Sequence, residues 1–140
     1  MALPIITGEF GVISLDLKFS QKGSAWLKIR AVAKDRVRDA NGTWNDGDPL
    51  FIDIVVNQGS EHLYESVVKG DTITVAGKLK QREYEVDGQK RTDIQIHADN
   101  VGVSTRWAPA RTQRSIDANG VSAVKESLGA EVIEQTEAPF

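Results

Sequence analysis

The chain contains no cysteine, which removes disulfides, thiolate metal sites and cysteine nucleophiles together and fits a reducing compartment. Long apolar runs are missing too. No stretch approaches the roughly 20 residues of a membrane-spanning helix, and the opening MALPIITGEFG has no basic segment leading into an apolar one. The expectation is a soluble, intracellular protein, in which Asn41-Gly42-Thr43 reads as a turn rather than a glycosylation site. Histidine is scarce: His62 and His97 fall on different elements, without a neighbour at triad or metal-site spacing. The acid-rich stretch from Asp39 to Asp48 fails as a calcium loop, because its sixth position is Trp44 where glycine is required and its twelfth is Leu50 where glutamate is required. No glycine-rich phosphate cradle precedes a helix and no nucleophile elbow appears. A non-catalytic protein without metal or cofactor is expected.

Excess charge of one sign is also lacking, with a net of −3, but the charge is unevenly spread. Residues 115–140 hold one base, Lys125, against Asp117, Glu126, Glu131, Glu134 and Glu137, a net of −4. The rest, with 16 basic and 15 acidic residues, is near +1, so an acidic tail masks a body able to concentrate positive charge on one face. A length of 140 residues allows one well-buried domain and a tail. The division expected is a domain over 1–110 and an acidic, flexible tail over 111–140.

Alternation predicts the strands. VISLDLKF (12–19) sets Ile13, Leu15, Leu17 and Phe19 inward, and AWLKIRAVAK (25–34) sets Leu27, Ile29, Ala31 and Ala33 inward. RDANGTWNDGDP reads as a mobile hairpin loop. LFIDIVV is apolar enough to be buried on much of both sides, with Leu50, Ile52 and Ile54 in phase. Residues 60–68 have helical spacing, with Ser60 as N-cap and an end at Gly70. GDTITVAGKLKQREYEV turns through Asp87-Gly88, a dipeptide suited to the positive φ of a tight hairpin, into RTDIQIHA, whose Ile94, Ile96 and Ala98 share its apolar side. Three strands, one short helix and two strands match an all-β, five-stranded OB-fold barrel with its helix between strands 3 and 4, followed by an acidic C-terminal tail.

Aromatic residues make up only 6% of the chain, so their positions carry information. Trp26, Lys28, Arg30 and Lys34 share the outer side of one strand, and Lys78, Lys80, Arg82 and Tyr84 that of another. Phe51 stands out of phase with the core of LFIDIVV, and Arg91, Gln95 and His97 share the polar side of the last strand. One such strand is explained by solvation alone. Repeated cations interleaved with flat rings are what sequence-tolerant binding of a single strand requires, since every nucleotide offers a charge and every base a stackable face.

The stretch KGDTITVAGKLKQREYEVDGQKRTDIQIHADNVGVSTRWA closely resembles bacterial-type single-stranded DNA-binding proteins, in which Lys-Gly-Asp opens the fourth strand, Gly-x-Leu continues it and Gly-x-x-Arg-Thr enters the fifth. The likeness runs back through LFIDIVVNQGSEHLYESVVKGD and AWLKIRAVAKDRVRD to cover about 10–108 and looks most like actinobacterial or phage members. It implies single-stranded DNA as ligand during replication, recombination and repair, a homotetramer, and a cytoplasmic, nucleoid-associated setting or the host cytoplasm of a phage. Carried over by position, its stacking aromatics fall on Phe51 and Tyr84, while two further stacking positions fall on Val37 and Asn57, with Trp26 or Trp44 as substitutes. Its acidic, Pro-Phe-ending tip, which recruits replication and repair proteins, matches Glu134, Glu137, Pro139 and Phe140, without the usual aspartates. Val124, Leu128, Val132 and Ile133, at near-helical spacing, leave open a tail docked as structure. An RNA-binding barrel and an oligomeric adaptor with little DNA binding also remain open.

Overall fold

The computed structural model describes residues 1–118. Met1–Trp107 form one compact unit and a second begins at Ala108, in which Gln113–Asp117 make a short helix, α2, capped by the Thr112 hydroxyl accepting from the Ser115 amide at 3.0 Å.

In the first unit five strands, β1 (Ile5–Phe19), β2 (Ala25–Arg38), β3 (Trp44–Val56), β4 (Thr72–Val86) and β5 (Gln89–Val103), close into a barrel in the order β1-β2-β3-β5-β4. The helix α1 (Ser60–Ser66) lies between β3 and β4, as an OB-fold requires. All pairings are antiparallel except β3 with β5. The interior is filled by one row from each strand, with Leu27, Ile29, Ile54, Ile73 and Ile96 fully buried and Phe10, Val12, Ile52 and Val75 around them; Val67, after α1, joins the same cluster. Truncating any of the large members to alanine removes about 2–5 kcal/mol.

β1, with 15 residues, is nearly twice the predicted length. Its first half, Ile5–Gly11, pairs with β4 and its second with β2, and closing the barrel depends on this double pairing. A bulge between Val12 and Ser14 shifts the phase. Phe10 and Val12 point inward ahead of it and Leu15 and Leu17 pack on the core after it, so Ile13 is not an inward-row residue, and Phe19, at the strand end, is exposed. On β5, Asp99 is the extra residue where the register moves from Ala76↔Asn100 to Gly77↔Ala98, so Ile96 and Ala98 before it and Val101 and Val103 after it all reach the core. Such insertions bend a strand and let it turn the corner of a closed sheet.

Two hairpins outrun the barrel. Asp87 (φ 53°) and Gly88 (φ 78°) both adopt the positive φ of the predicted tight turn. Ile94, paired with Gln81 on this projecting arm, is more than half exposed rather than inward. The stretch expected as a mobile loop continues instead as β2 to Arg38 and β3 from Trp44. Its turn is held by Asp39, whose carboxylate accepts from the Asn41 and Thr43 amides at 2.9 Å and from Asn45 Nδ2 at 3.0 Å. Leu50, at the base of this arm, is exposed, while Ile52–Val56 are buried on both sides as expected. The helix departs from expectation at both ends. Gly59, left-handed at φ 75°, is the N-cap without a side-chain hydrogen bond, Ser60 is buried inside the first turn, and the helix stops at Ser66.

Candidate nucleic-acid interface

Directly paired residues of neighbouring strands share a sheet face, so the register states which side chains meet outside the barrel. One cross-sheet row reads Lys28, Val55, His97, Lys78, and the next Arg30, Asp53, Gln95, Lys80. Beyond these, Val32 faces Phe51 and Lys34 faces Pro49, while Arg82 faces Asp93 and Tyr84 faces Arg91. Trp26 extends the surface at the other end, opposite Lys18 of β1. All ten residues singled out on the barrel, Trp26, Lys28, Arg30, Lys34, Phe51, Lys78, Lys80, Arg82, Tyr84 and Arg91, therefore belong to one outer face running over β2, β3, β5 and β4.

The rings on this face each lie beneath a cation. Lys18 Nζ stands 5.2 Å from the Trp26 ring centre, the Arg30 guanidinium 5.6 Å from Phe51 and that of Arg82 4.9 Å from Tyr84. Cation–ring attraction of about 0.5–1 kcal/mol at exposed sites favours this orientation of both partners by a few-fold. A groove of about 260 Å³ opens between Trp26, Lys28, Val55, Arg82, Gln95 and His97, with Lys18 at its edge. A larger hollow of about 380 Å³ on β1, β4 and β5 is lined by Thr7, Gly8, Thr74, Val75, Ala76, Asn100 and Gly102, which carry no charge. The Trp26 ring and the cations Lys18, Lys28 and Arg82 line the smaller of the two.

Not every cation is equally available. Asp53, only 8% exposed, lies between Lys28 Nζ at 3.7 Å and Arg30 Nη1 at 3.2 Å, accepting a hydrogen bond from the latter. Arg82 Nε is 3.5 Å from Asp93 Oδ1, an ionic contact in which that oxygen has no hydrogen bond among the described residues. Among the described residues Lys34, Lys78, Lys80 and Arg91 have no carboxylate within ion-pair distance. His97, part-buried beside Gln95, has its pKa held below the ordinary histidine range by burial and, secondly, by the positive charge of Lys80.

Sequence reasoning missed several members of this surface. Asp53 was hidden in an apolar run, and Lys18 lay on a strand read only for its core. His97 was discounted for lack of catalytic partners, although its phase with Arg91 and Gln95 already placed it on the polar side. The cationic side of β2 also continues through Arg36 and Arg38 on the projecting arm, where the Arg38 guanidinium stands 6.0 Å from the ring of the exposed Trp44. Val37 is exposed on this arm opposite Asn45, and Asn57 is exposed just after β3. Away from the face, Glu9 accepts from Trp107 Nε1 at 2.9 Å and Ser104 Oγ at 3.1 Å, and these bonds, Trp107's first, lower its pKa. Glu134, Glu137, Pro139 and Phe140 lie outside the described residues, as do Val124, Leu128, Val132 and Ile133.

Comparison with known proteins agrees with this architecture. The crystal structure of the small single-stranded DNA-binding protein from Streptomyces coelicolor superposes with a TM-score of 0.65 at 26% identity, over 75% of this chain and 97% of that one. The Plasmodium falciparum SSB in complex with ssDNA shares the fold, with a TM-score of 0.63 at 18% identity, over 74% of this chain and 97% of that one. The single-stranded DNA-binding protein of Paenarthrobacter aurescens is 35% identical over 129 residues, 86% of this chain and 75% of its own length. That of Mycobacterium leprae is 32% identical over 108 residues, 75% of this chain, and the match spans 64% of the relative, less than two thirds of it. The sequence profile of the single-strand binding protein family matches residues 6–104, and the chain belongs to that family.

Proposed function

We propose that the chain binds single-stranded DNA without strong sequence preference, coating and protecting it during replication, recombination and repair, and that it does so without catalysis. The observation that carries this reading is the register, which sets Phe51, Tyr84 and Trp26 with their cations, and Lys34, Lys78, Lys80 and Arg91, unpaired among the described residues, along one continuous face. In this reading the lysines and arginines take phosphates. Each ring, held from one side by a cation, offers its other side to a base at about 1–3 kcal/mol per stack. Duplex DNA, whose bases are already stacked, competes poorly.

Assembly as a homotetramer in the cytoplasm, at the nucleoid or in the host of a phage, is part of the same proposal. So is a division into a binding domain over 1–110 and an acidic tail over 111–140 that presents Glu134, Glu137, Pro139 and Phe140 to basic pockets on replication and repair proteins. The family membership and the net charge of −4 over residues 115–140 support it. The test is competition: labelled oligo-dT bound to the protein is challenged with unlabelled oligo-dT, oligo-U and a blunt duplex of equal length. Displacement by oligo-dT at far lower concentration than by duplex or oligo-U is expected. Equal displacement by oligo-U would make the protein an RNA binder, and no binding of oligo-dT at any salt concentration would overturn the proposal.

A further inference from the structure

The centre of the candidate face contains a feature that a simple cationic track would not. Asp53 is set among the positive side chains, nine-tenths buried, with Lys28 and Arg30 both turned onto it at 3.7 and 3.2 Å. Arg30 is thereby fixed twice, by its hydrogen bond to Asp53 Oδ1 and by its position 5.6 Å from the Phe51 ring. The carboxylate is not in a satellite position: the register puts it between Arg30 and Gln95, in the row that ends at Lys80.

We propose that Asp53 is a built-in counter-charge, a positioning residue that holds Lys28 and Arg30 in place and limits the pair to neutralising one phosphate instead of two. The inference rests on the reading of this face as the strand-binding surface. Its physical basis is charge summation. Lys28, Arg30 and Asp53 together carry +1, and a phosphate arriving at the pair meets a carboxylate already occupying the guanidinium and ammonium donors. Removing either cation instead of the carboxylate would leave Asp53 short of compensation in a site nearly closed to water, which is costly. The arrangement therefore keeps rings and donors in a fixed geometry while moderating the electrostatic grip at the middle of the face. A strand held this way is released more readily than one held by two unopposed cations.

The test reads the salt dependence of oligo-dT affinity, whose log–log slope counts neutralised phosphates at about 0.7 each for single strands. Asp53→Asn keeps the shape and an acceptor for Arg30 but raises the local sum to +2, so its slope should steepen by about 0.7. Over a tenfold rise in salt its affinity should fall roughly 5-fold more than that of the wild type. The double variant Asp53→Asn with Lys28→Gln restores the sum to +1 and should return the slope to the wild-type value. An unchanged slope in Asp53→Asn, with only the melting temperature altered, would make Asp53 merely structural and overturn the inference. Should that variant not fold, Asp53→Ser removes the same charge and leaves a smaller hydroxyl acceptor, and its slope should steepen by the same amount of about 0.7. An unchanged slope there would equally overturn the proposal. Absence of salt-dependent binding in the wild type is a different result, and it removes the reading of the face itself.

Discussion

Gly77 stands where β4 passes the β5 bulge, and alanine at this position is the most informative single perturbation of the barrel. A Cβ built there would lie 2.3 Å from the His97 carbonyl oxygen and 2.7 Å from the Ala98 Cα. Non-bonded heavy atoms settle at roughly 3.5 Å or more, so the two strands would have to separate by about 1 Å. The obstacle is backbone on both counts, and no rotamer change relieves it. Overpacking costs about 1–3 kcal/mol, and with no soft neighbour the upper end applies. For a domain of about 100 residues each kcal/mol is worth roughly 4–8 °C, so Gly77→Ala should lower the melting temperature by roughly 12–24 °C, as followed by circular dichroism. Gly102→Ala is the control, because its Cβ would meet nothing nearer than Thr74 Oγ1 at 3.4 Å, and its transition should move by only a few degrees. A Gly77→Ala variant melting within about 4 °C of the wild type would refute the close approach of β4 and β5 on which the rows of the candidate face depend.

Lys80, without a carboxylate partner among the described residues, should contribute a whole phosphate contact. Lys80→Ala should flatten the salt slope of oligo-dT binding by about 0.7, and Arg82→Ala, which also frees Asp93 at 3.5 Å, by less; equal losses would contradict the pairing. Phe51→Leu and Tyr84→Leu keep apolar bulk but no π face, and each should cost about 1–3 kcal/mol of binding at an unchanged slope, measured by fluorescence titration; full binding would mean that the rings only pack. His97, whose pKa is depressed in the free fold, should take up a proton as a phosphate approaches. Oligo-dT affinity should thus rise as pH falls from 7.5 through the histidine range, and His97→Gln should abolish the rise. The same depression means that the unfolded chain binds that proton first, so fold stability should decline over the same pH window.

Where side chains alternated without interruption, the sequence was transparent: Leu27, Ile29 and Ala31 on β2, Ile96 and Ala98 on β5, and the Asp87-Gly88 turn are all as read. It was opaque where the backbone breaks period two. The Val12/Ser14 bulge moved Ile13 out of the inward row, and the first half of β1 escaped notice because its inward row includes Gly8, whose missing side chain makes room for the Phe10 ring, only 3.0 Å from where a Cβ would stand. Ser60 looked like a cap because nothing local reveals that Gly59 already occupies the left-handed position. The cationic stripes were legible one strand at a time. That they adjoin, and that Asp53 sits between two of their members, depends on which residue of β3 lies opposite Arg30, a pairing set by turn length and bulges far along the chain.

Whether this face grips a single strand through phosphates and bases together is decided by titrating the 140-residue chain with oligo-dT while following intrinsic tryptophan fluorescence at several salt concentrations. Quenching is expected, as Trp26 lines the groove, with a log affinity that falls linearly with log salt at a slope of several times about 0.7. Binding that is independent of salt, or salt-dependent binding that leaves the fluorescence unchanged in wild type and in Trp107→Phe alike, would contradict it.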